Sequence, residues 1–123
     1  MRISLSSRAP QSSNLNSVFM KIVKVTYSTK PAYAEKNAEN IRNVMNDLRQ
    51  LGSTGIFYHV CLSPDGKTFT HTAFFKSDED RKILNDLPSF KRFQEQLMPL
   101  GVEVSPQQEL PTLVGSSVDI FNP

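Results

Sequence analysis

Three side chains capable of acid–base or metal chemistry lie close together in the segment GIFYHVCLSPDGKTFTHTAFF, residues 55–75. This segment holds both histidines of the chain, His59 and His71, and its only cysteine, Cys61. Because histidine changes charge near physiological pH, a pair of histidines can supply a general base, a general acid or two metal ligands. The chemistry therefore depends on whether the fold brings the two imidazoles together.

The turn between the two histidines predicts that they are cross-strand neighbours. Pro64-Asp65-Gly66 separates two runs of aromatic and β-branched residues, and it has the sequence of a three-residue hairpin loop with a bulge at the glycine. In that register His59 faces His71, with their Cβ atoms about 5 Å apart. A loop that differs by one residue would place the two side chains on opposite faces of the sheet.

Three roles are open for a His59–His71 pair. The first is structural, because two imidazoles in a packed sheet can simply share a hydrogen bond. The second is catalytic, because repulsion between two protonated imidazoles keeps one of them neutral near physiological pH, where it can remove a phenol proton. The third is metal binding. Zinc needs at least three protein ligands, and the spacing of Cys61 from the two histidines matches no standard zinc motif. We therefore predict no metal site.

The elements that position these residues follow from the hydrophobic pattern. Residues 19–28, FMKIVKVTYS, are typical of a first strand. A helix of about twenty residues follows, because apolar side chains recur at helical spacing between Pro31 and Gly52. The two hairpin strands are expected at about residues 55–62 and 67–76.

The second half of the chain predicts another helical region and a last strand. The helical region starts at Ser77, is interrupted by Pro88 and ends near Gly101. Residues 102–110 are expected to form a loop. The segment TLVGSSVDIF, residues 112–121, is the predicted fourth strand.

The order β-α-β-β-α-β predicts an α+β, ferredoxin-like fold, with an antiparallel four-stranded sheet and two helices on one face. Both faces of the hairpin are largely apolar, and Tyr58 is expected on the face away from the histidines. Water-exposed apolar patches of that size are rare in soluble monomers, so we expect a homodimer packed sheet on sheet. On the helix side, a cavity wall is expected from Phe69, Phe90, Phe93 and Tyr33, although the phenylalanines at helical spacing also suit a plain core.

Composition and charge narrow the class of protein. The chain has 123 residues, and we expect a single domain over residues 19–123. Residues 1–18 are interpreted as a disordered tail, a transit peptide or an extension, so the expected location is cytoplasmic, or organellar if they are a transit peptide. The net charge is +2 and no basic face is clustered, so we expect no nucleic-acid partner. The apolar runs are all shorter than a membrane-spanning helix needs, so we expect no membrane span.

The chain resembles the dimeric α/β barrel superfamily, which includes the antibiotic-biosynthesis-monooxygenase-like proteins. The resemblance covers roughly residues 20–121 and rests on MKIVKVTYSTKPAYAEKN, on the hairpin segment, and on LPSFKRFQEQL followed by LVGSS. It is closest to small, uncharacterised members. The superfamily's haem-degrading enzymes use a tryptophan, which this chain lacks. Its chlorite dismutases are usually larger.

Two functions follow from the resemblance as expectations. The first is a cofactor-independent, monooxygenase-like enzyme that acts on a small aromatic or polyketide-like molecule in a cavity between sheet and helices, with His59 and His71 as base and orienting residue. The second is a non-catalytic small-molecule-binding or dimeric accessory protein. The sequence has no phosphate-cradling glycine loop, nucleophile elbow or Cys-x-x-Cys motif, so no cofactor is expected.

Overall fold

The computed structural model describes residues 20–121, so the interpretations of residues 1–18 and of Phe19 lie outside the described part. The first strand, β1, is followed by a short 3-10 turn and the long helix α1. The remaining elements are two strands, two helices and a last strand. Their bounds are β1 Lys21–Thr29, the 3-10 turn Pro31–Tyr33, α1 Ala34–Leu51, β2 Ile56–Leu62, β3 Thr68–Phe75, α2 Asp78–Asp86, α3 Pro88–Leu100 and β4 Val102–Glu109.

The four strands form one antiparallel sheet in the order β2-β3-β1-β4. This is the predicted ferredoxin-like fold, which the structure confirms. The helices cover one face of the sheet, because alternate side chains of β1 and β3 share a buried core with α1, α2 and α3. Pro88 divides the second helical region into α2 and α3, at the interruption that the sequence predicted. Among residues 20–121, none of the helices has the length and apolar character of a membrane span.

The hairpin register differs by one residue from the prediction. The amide of Ser63 donates to the carbonyl of Thr68 at 2.8 Å, so the loop contains four residues rather than three. The Asp65 carboxylate holds this loop, because it accepts hydrogen bonds from the backbone amides of Lys67 and Thr68, both at 2.9 Å. Gly66 provides the left-handed turn position at φ 78°. Lys67 therefore belongs to the turn and not to β3.

This register overturns the predicted histidine pair. His59 pairs with Thr72, and His71 pairs with Val60. Because side chains alternate along a strand, the two imidazoles lie on opposite faces of the sheet. The same shift moves Tyr58 onto the helix-covered face with His71, where the prediction had placed it on the other face.

The fourth strand also lies elsewhere than predicted. β4 is Val102–Glu109, the segment expected to be a loop, whereas residues 112–119 have no strand structure. β4 pairs with β1 from Thr29 opposite Val102 to Lys24 opposite Glu109. Its sequence VEVSPQQE is polar and contains proline, which an edge strand tolerates because one side needs no ladder partner.

The start of β4 is fixed by close packing of Gly101 and Tyr33. A Cβ atom on Gly101 would overlap the ring of Tyr33, so a side chain cannot be added there without moving the ring. The amide of Lys30 also donates to the carbonyl of Gly101 at 2.7 Å. The end of α3 is thereby tied to the end of β1, and the residues that follow are directed into the sheet edge.

Candidate functional site

The structure places His59, Cys61 and His71 on two different faces of the sheet. His71 is fully buried on the helix-covered face of the sheet, whereas His59 and Cys61 are exposed on the opposite, open face. There His59 contacts aromatic neighbours, with its ring 5.5 Å from the Phe57 ring. The two histidines therefore cannot act as base and orienting residue for each other. The buried histidine has different partners.

Two tyrosine hydroxyls hold the His71 imidazole from both sides. The Tyr27 hydroxyl lies 2.8 Å from Nε2, and the Tyr58 hydroxyl lies 2.6 Å from Nδ1. Strand pairing explains this arrangement, because His71 is opposite Val25 on β1 and Val60 on β2. Tyr27 and Tyr58 are each two residues from those partners, on the same face and within diagonal reach of the imidazole.

Helix α1 adds a fourth polar residue. The side-chain amide of Asn37, in the first turns of the helix, donates to the Tyr27 hydroxyl at 2.8 Å. Asn37 is completely buried, and its Oδ1 has no hydrogen-bond partner among the described residues. Buried polar side chains destabilise a core unless they are hydrogen-bonded. Replacing one member of the cluster therefore lowers stability, because its neighbour is left without a hydrogen-bond partner. We call Asn37, Tyr27, His71 and Tyr58 the polar chain.

The single ring proton of a neutral imidazole links the two hydrogen bonds of His71. One ring nitrogen accepts from a tyrosine hydroxyl, and the other ring nitrogen donates to the second hydroxyl. If Nε2 accepts from Tyr27, Nδ1–H donates to Tyr58, and the other tautomer reverses both hydrogen bonds. In either tautomer His71 bridges the two tyrosines.

All members of the polar chain are neutral at physiological pH. Burial lowers the pKa of His71 to about 3, since no charged partner offsets the loss of hydration. Burial also raises the pKa of Tyr27, partly offset by the hydrogen bond from Asn37. The pKa of Tyr58 is raised well above its ordinary value, first by burial and then by Tyr27. The polar chain therefore carries no charge, and His71 is a weak base.

The phenylalanines of the predicted wall pack against members of the polar chain, and Phe93 is the one with a ring contact to the imidazole. Phe69, Phe90 and Phe93 are buried, with the Phe93 ring 5.4 Å from the His71 ring and the Phe90 ring 6.3 Å from the Tyr58 ring. They fill space around the polar chain, so a ligand-binding role for them stays a prediction. Tyr33 packs against Gly101, at the end of the first 3-10 turn, and its role as a ligand contact likewise stays a prediction.

A surface recess approaches the polar chain at Tyr58. It has a volume of about 210 Å³ and lies between the C-terminal half of α1 and the start of β2. Tyr58 is half-buried and belongs to both the recess and the polar chain. The recess is lined by Met45, Leu48, Arg49, Ser53, Ile56, Phe57 and Tyr58. Within residues 20–121, no group of three or more histidine, cysteine or acidic side chains is arranged to hold a metal ion.

Comparison with solved structures places this architecture among known proteins. A putative antibiotic biosynthesis monooxygenase from Bacteroides thetaiotaomicron aligns with a TM-score of 0.71 and 11% identity, over 81% of this chain and 94% of that one. A protein of that description from Caulobacter crescentus gives a TM-score of 0.66 and 17% identity, over 78% and 91% of the two chains. The chain has the ferredoxin-like fold of the antibiotic-biosynthesis-monooxygenase-like proteins. Proteins of unknown function share that fold, including one from Nitrosomonas europaea with a TM-score of 0.65, 12% identity and 84% and 98% coverage.

The similarity to antibiotic-biosynthesis-monooxygenase-like proteins is structural. No family model matches the sequence, and no curated protein matches it. The sequence identities to the solved structures are low, so these similarities establish the fold and not the activity. The resemblance inferred from the sequence is confirmed at that level.

One member of the polar chain that the prediction missed could have been found from the sequence. Asn37 lies on the apolar stripe of α1, four residues before Ile41 and seven before Val44, both buried. A polar residue on such a stripe needs a buried partner. Tyr58 was missed for a different reason, since its face depends on the length of the hairpin loop.

Proposed function

We propose that this protein is a small enzyme of the cofactor-independent monooxygenase type, acting on a small aromatic or polyketide-like molecule at the Tyr58 end of the polar chain. One observation carries the proposal: a fully buried imidazole is held between two tyrosine hydroxyls, and one of these tyrosines lines a surface recess. Strongly perturbed titratable groups beside a recess are typical of functional sites.

The cost of the polar chain supports a function rather than packing alone. His71, Tyr27 and Asn37 are buried where apolar side chains of similar size would fill the same space without needing partners. A polar core network is stable only when nearly every member is satisfied. Asn37 Oδ1 has no partner among the described residues, which is the kind of local imperfection found where a core serves more than stability.

The chemistry expected at this site is oxygen insertion at an activated methylene. A ring methylene activated by a carbonyl would lose its proton to water and react as the enolate with dioxygen. The resulting peroxide would take a proton back from water, and loss of one water molecule would turn the methylene into a carbonyl. The substrate supplies all four electrons that reduce dioxygen. Tyr58 would contact the reacting group, and His71 would hold the Tyr58 hydroxyl in position while staying neutral.

Oxygen consumption with anthrone as the probe tests this activity, since anthrone plus dioxygen gives anthraquinone plus water. We expect protein-dependent oxygen uptake and the quinone absorbance, both lowered at least tenfold in Tyr58→Phe. His59→Gln, on the open face, is the matched control and should retain the wild-type rate. Equal rates in buffer and in protein would argue against the activity, and an unchanged rate in Tyr58→Phe would move the chemistry away from this site.

A second candidate function is ligand binding without catalysis at the same recess. Phe69, Phe75, Phe90 and Phe93 are all buried between sheet and helices, which counts against a ligand inside the core for either function. The recess of about 210 Å³ is smaller than the roughly 300–1,000 Å³ of typical ligand pockets, so either function takes a small ligand. Tight binding of a probe with no oxygen uptake would select this function.

The open face of the sheet supports a homodimer as part of either function. Phe57 is 45% exposed and Val104 is 55% exposed, and the Phe57 ring stacks on Phe74 at 5.4 Å. An apolar surface of this kind is normally covered in soluble proteins, and a twofold copy of the same sheet is its simplest cover. The resemblance to dimeric α/β barrel proteins implies the same arrangement.

A further inference from the structure

The outer edge of β2 is a strand edge without protection of its own. β2 pairs with β3 and with no other strand among residues 20–121. Its sequence IFYHVCL contains no lysine, acidic residue or proline, whereas the other edge strand, β4, contains Pro106, Glu103 and Glu109. Charged residues and prolines keep an edge strand from pairing with another chain. The edge of β2 can therefore accept a further strand.

The backbone groups on this edge follow from the end of the hairpin. The amide of Ser63 donates to the carbonyl of Thr68, in the same register that pairs β2 with β3. In an antiparallel pair, residues that are hydrogen-bonded to the partner strand alternate with residues whose amide and carbonyl point away from it. His59 is four residues before Ser63 and is therefore hydrogen-bonded to β3. The amides and carbonyls of Tyr58 and Val60 point to the outer edge.

The segment after β4 has the composition of a strand but no strand structure. Residues 112–118, TLVGSSV, contain no charged residue, and we call them the tail. Two of their apolar side chains lie almost entirely in solvent, since Val114 is 99% exposed and Val118 is 67% exposed. Residues of this β-branched type are enriched in strands, where they pack against neighbouring strands. The tail thus lacks, within its own chain, the contacts that its composition suits.

In its own chain the tail reaches only the start of β2. It follows the end of β4 at Glu109, on the other edge of the sheet, and Val118 lines a recess together with Thr54, Ile56 and Phe57. The tail therefore passes one end of the sheet and does not run along the outer edge of β2. Because Phe57 belongs to the open face, a second copy packed on that face would meet the tail at this point.

We infer that, in the homodimer, the tail of each protomer adds as a fifth strand to the outer edge of β2 in the other protomer. Backbone groups of the tail would then bond to those of Tyr58 and Val60, as in other cases of strand addition to a sheet edge. A twofold axis makes the exchange reciprocal, so that both edges are covered and the assembly ends at two chains. The inference rests on the homodimer of the proposed function and not on its chemistry.

Amide hydrogen exchange, followed by NMR in the full chain, tests the added strand. The double variant Leu113→Pro/Val114→Pro removes two successive tail amides, one of which must face the neighbouring strand in either register. We expect the amides of Tyr58 and Val60 to exchange at least tenfold more slowly in wild type than in this variant. His59 is the internal control, because its amide is bonded to β3 in both proteins. Equal exchange of the Tyr58 and Val60 amides in the two proteins would overturn the inference.

A cross-link identifies the chain that supplies the strand. Cys61 is the only cysteine of the sequence and is exposed on β2. In Val114→Cys, a bis-maleimide that spans roughly 17 Å, the length of a typical strand, should give a product with the mass of two chains on denaturing electrophoresis. Asn43→Cys, exposed on α1, and wild type are the controls and should give at least tenfold less of it. A link within one chain, or no link, in Val114→Cys would overturn the inference.

The outcomes distinguish the added strand from the proposed function. A wild-type dimer in which Tyr58 and Val60 exchange as fast as in the proline variant would overturn the strand exchange and leave the sheet-on-sheet dimer. A wild-type monomer would overturn both. Failure of the anthrone reaction alone would count against the activity and not against the added strand.

Discussion

The Tyr58 hydroxyl lies 2.6 Å from Nδ1 of His71, although the two residues are on different strands and differ by thirteen positions in sequence. This contact joins the fully buried imidazole to a tyrosine that also lines a recess. It makes Tyr58 both a structural partner and a candidate ligand contact, so these two roles have to be separated by experiment.

Replacing Tyr58 with phenylalanine removes the hydroxyl and keeps the ring that contacts Phe90. Nδ1 of His71 then loses its hydrogen-bond partner, which should lower the free energy of unfolding by about 1–3 kcal/mol. Urea denaturation measures this change. The matched control is His59→Gln on the exposed open face, which should change stability by less than about 0.5 kcal/mol. Equal stability of Tyr58→Phe and wild type would mean that the hydrogen bond contributes nothing.

Truncation of His71 should be the most damaging single change in the site. His71→Ala removes a fully buried ring and leaves the Tyr27 and Tyr58 hydroxyls without their shared partner, so we expect a loss of about 3–5 kcal/mol. His71→Gln retains a side-chain donor and acceptor and should lose less. Thermal denaturation compares the two variants. Should both lose stability equally, shape rather than hydrogen bonding would decide the role of this residue.

The low pKa of His71 predicts that stability depends on pH between about 3 and 6.5. The pKa is lowered to about 3 in the folded protein against an ordinary value of 6.5, so in this range the unfolded chain binds a proton that the folded protein does not. The stabilisation is therefore complete above pH 6.5 and is lost progressively as the pH falls towards 3. The total effect is on the order of 5 kcal/mol.

Denaturation at several pH values, in wild type and His71→Gln, isolates this contribution. The difference in unfolding free energy between the two proteins should be roughly constant above pH 6.5 and should shrink on acidification. The carboxylates titrate in both proteins and cancel in the comparison. A difference that does not vary from pH 4 to pH 7 would show that His71 titrates normally in the folded state.

The sequence predicted the fold well because the fold depends on patterns that tolerate small errors. The helical spacing in α1 and the hairpin composition survive a shift of one or two residues, and their order fixes the ferredoxin-like arrangement. β4 was misplaced because its sequence is polar, as suits an edge strand, while the apolar segment after it lies outside the sheet. The amino-acid composition therefore favoured residues 112–121 as the fourth strand over residues 102–109, which form it.

The candidate site was predicted less well because it depends on a single register. Counting Lys67 as part of β3 instead of the turn exchanged the faces of β2, and so paired His71 with His59 instead of bringing it to Tyr58. The sequence does not show that the Asp65 carboxylate accepts from the amides of both Lys67 and Thr68, because these hydrogen bonds exist only in the folded loop. An error of one residue was harmless for the topology and decisive for the site.

The close approach of Gly101 to Tyr33 predicts a strong effect of adding one methyl group. Gly101→Ala would drive Cβ into the Tyr33 ring and disturb the junction of α3 and β4, lowering the free energy of unfolding by about 1–3 kcal/mol. Gly115→Ala is the matched control, because its added Cβ would meet no atom of the described residues within 4 Å. Combining Gly101→Ala with Tyr33→Ala should recover part of the loss. Equal, small effects of the two glycine substitutions would contradict the observed start of β4.

The open face predicts that a charge at Phe57 will split a dimer. Phe57, on the edge strand β2, stacks on Phe74 of the neighbouring strand on the open face, so Phe57→Lys would place an ammonium group in a sheet-on-sheet interface. Light scattering after size-exclusion chromatography should give the mass of two chains for wild type and of one chain for the variant. Leu100→Lys is the control, because Leu100 is 59% exposed at the end of α3, on the helix side of the sheet, and should leave the dimer intact. A wild-type monomer would leave this apolar face uncovered and would remove the main argument for a sheet-on-sheet assembly.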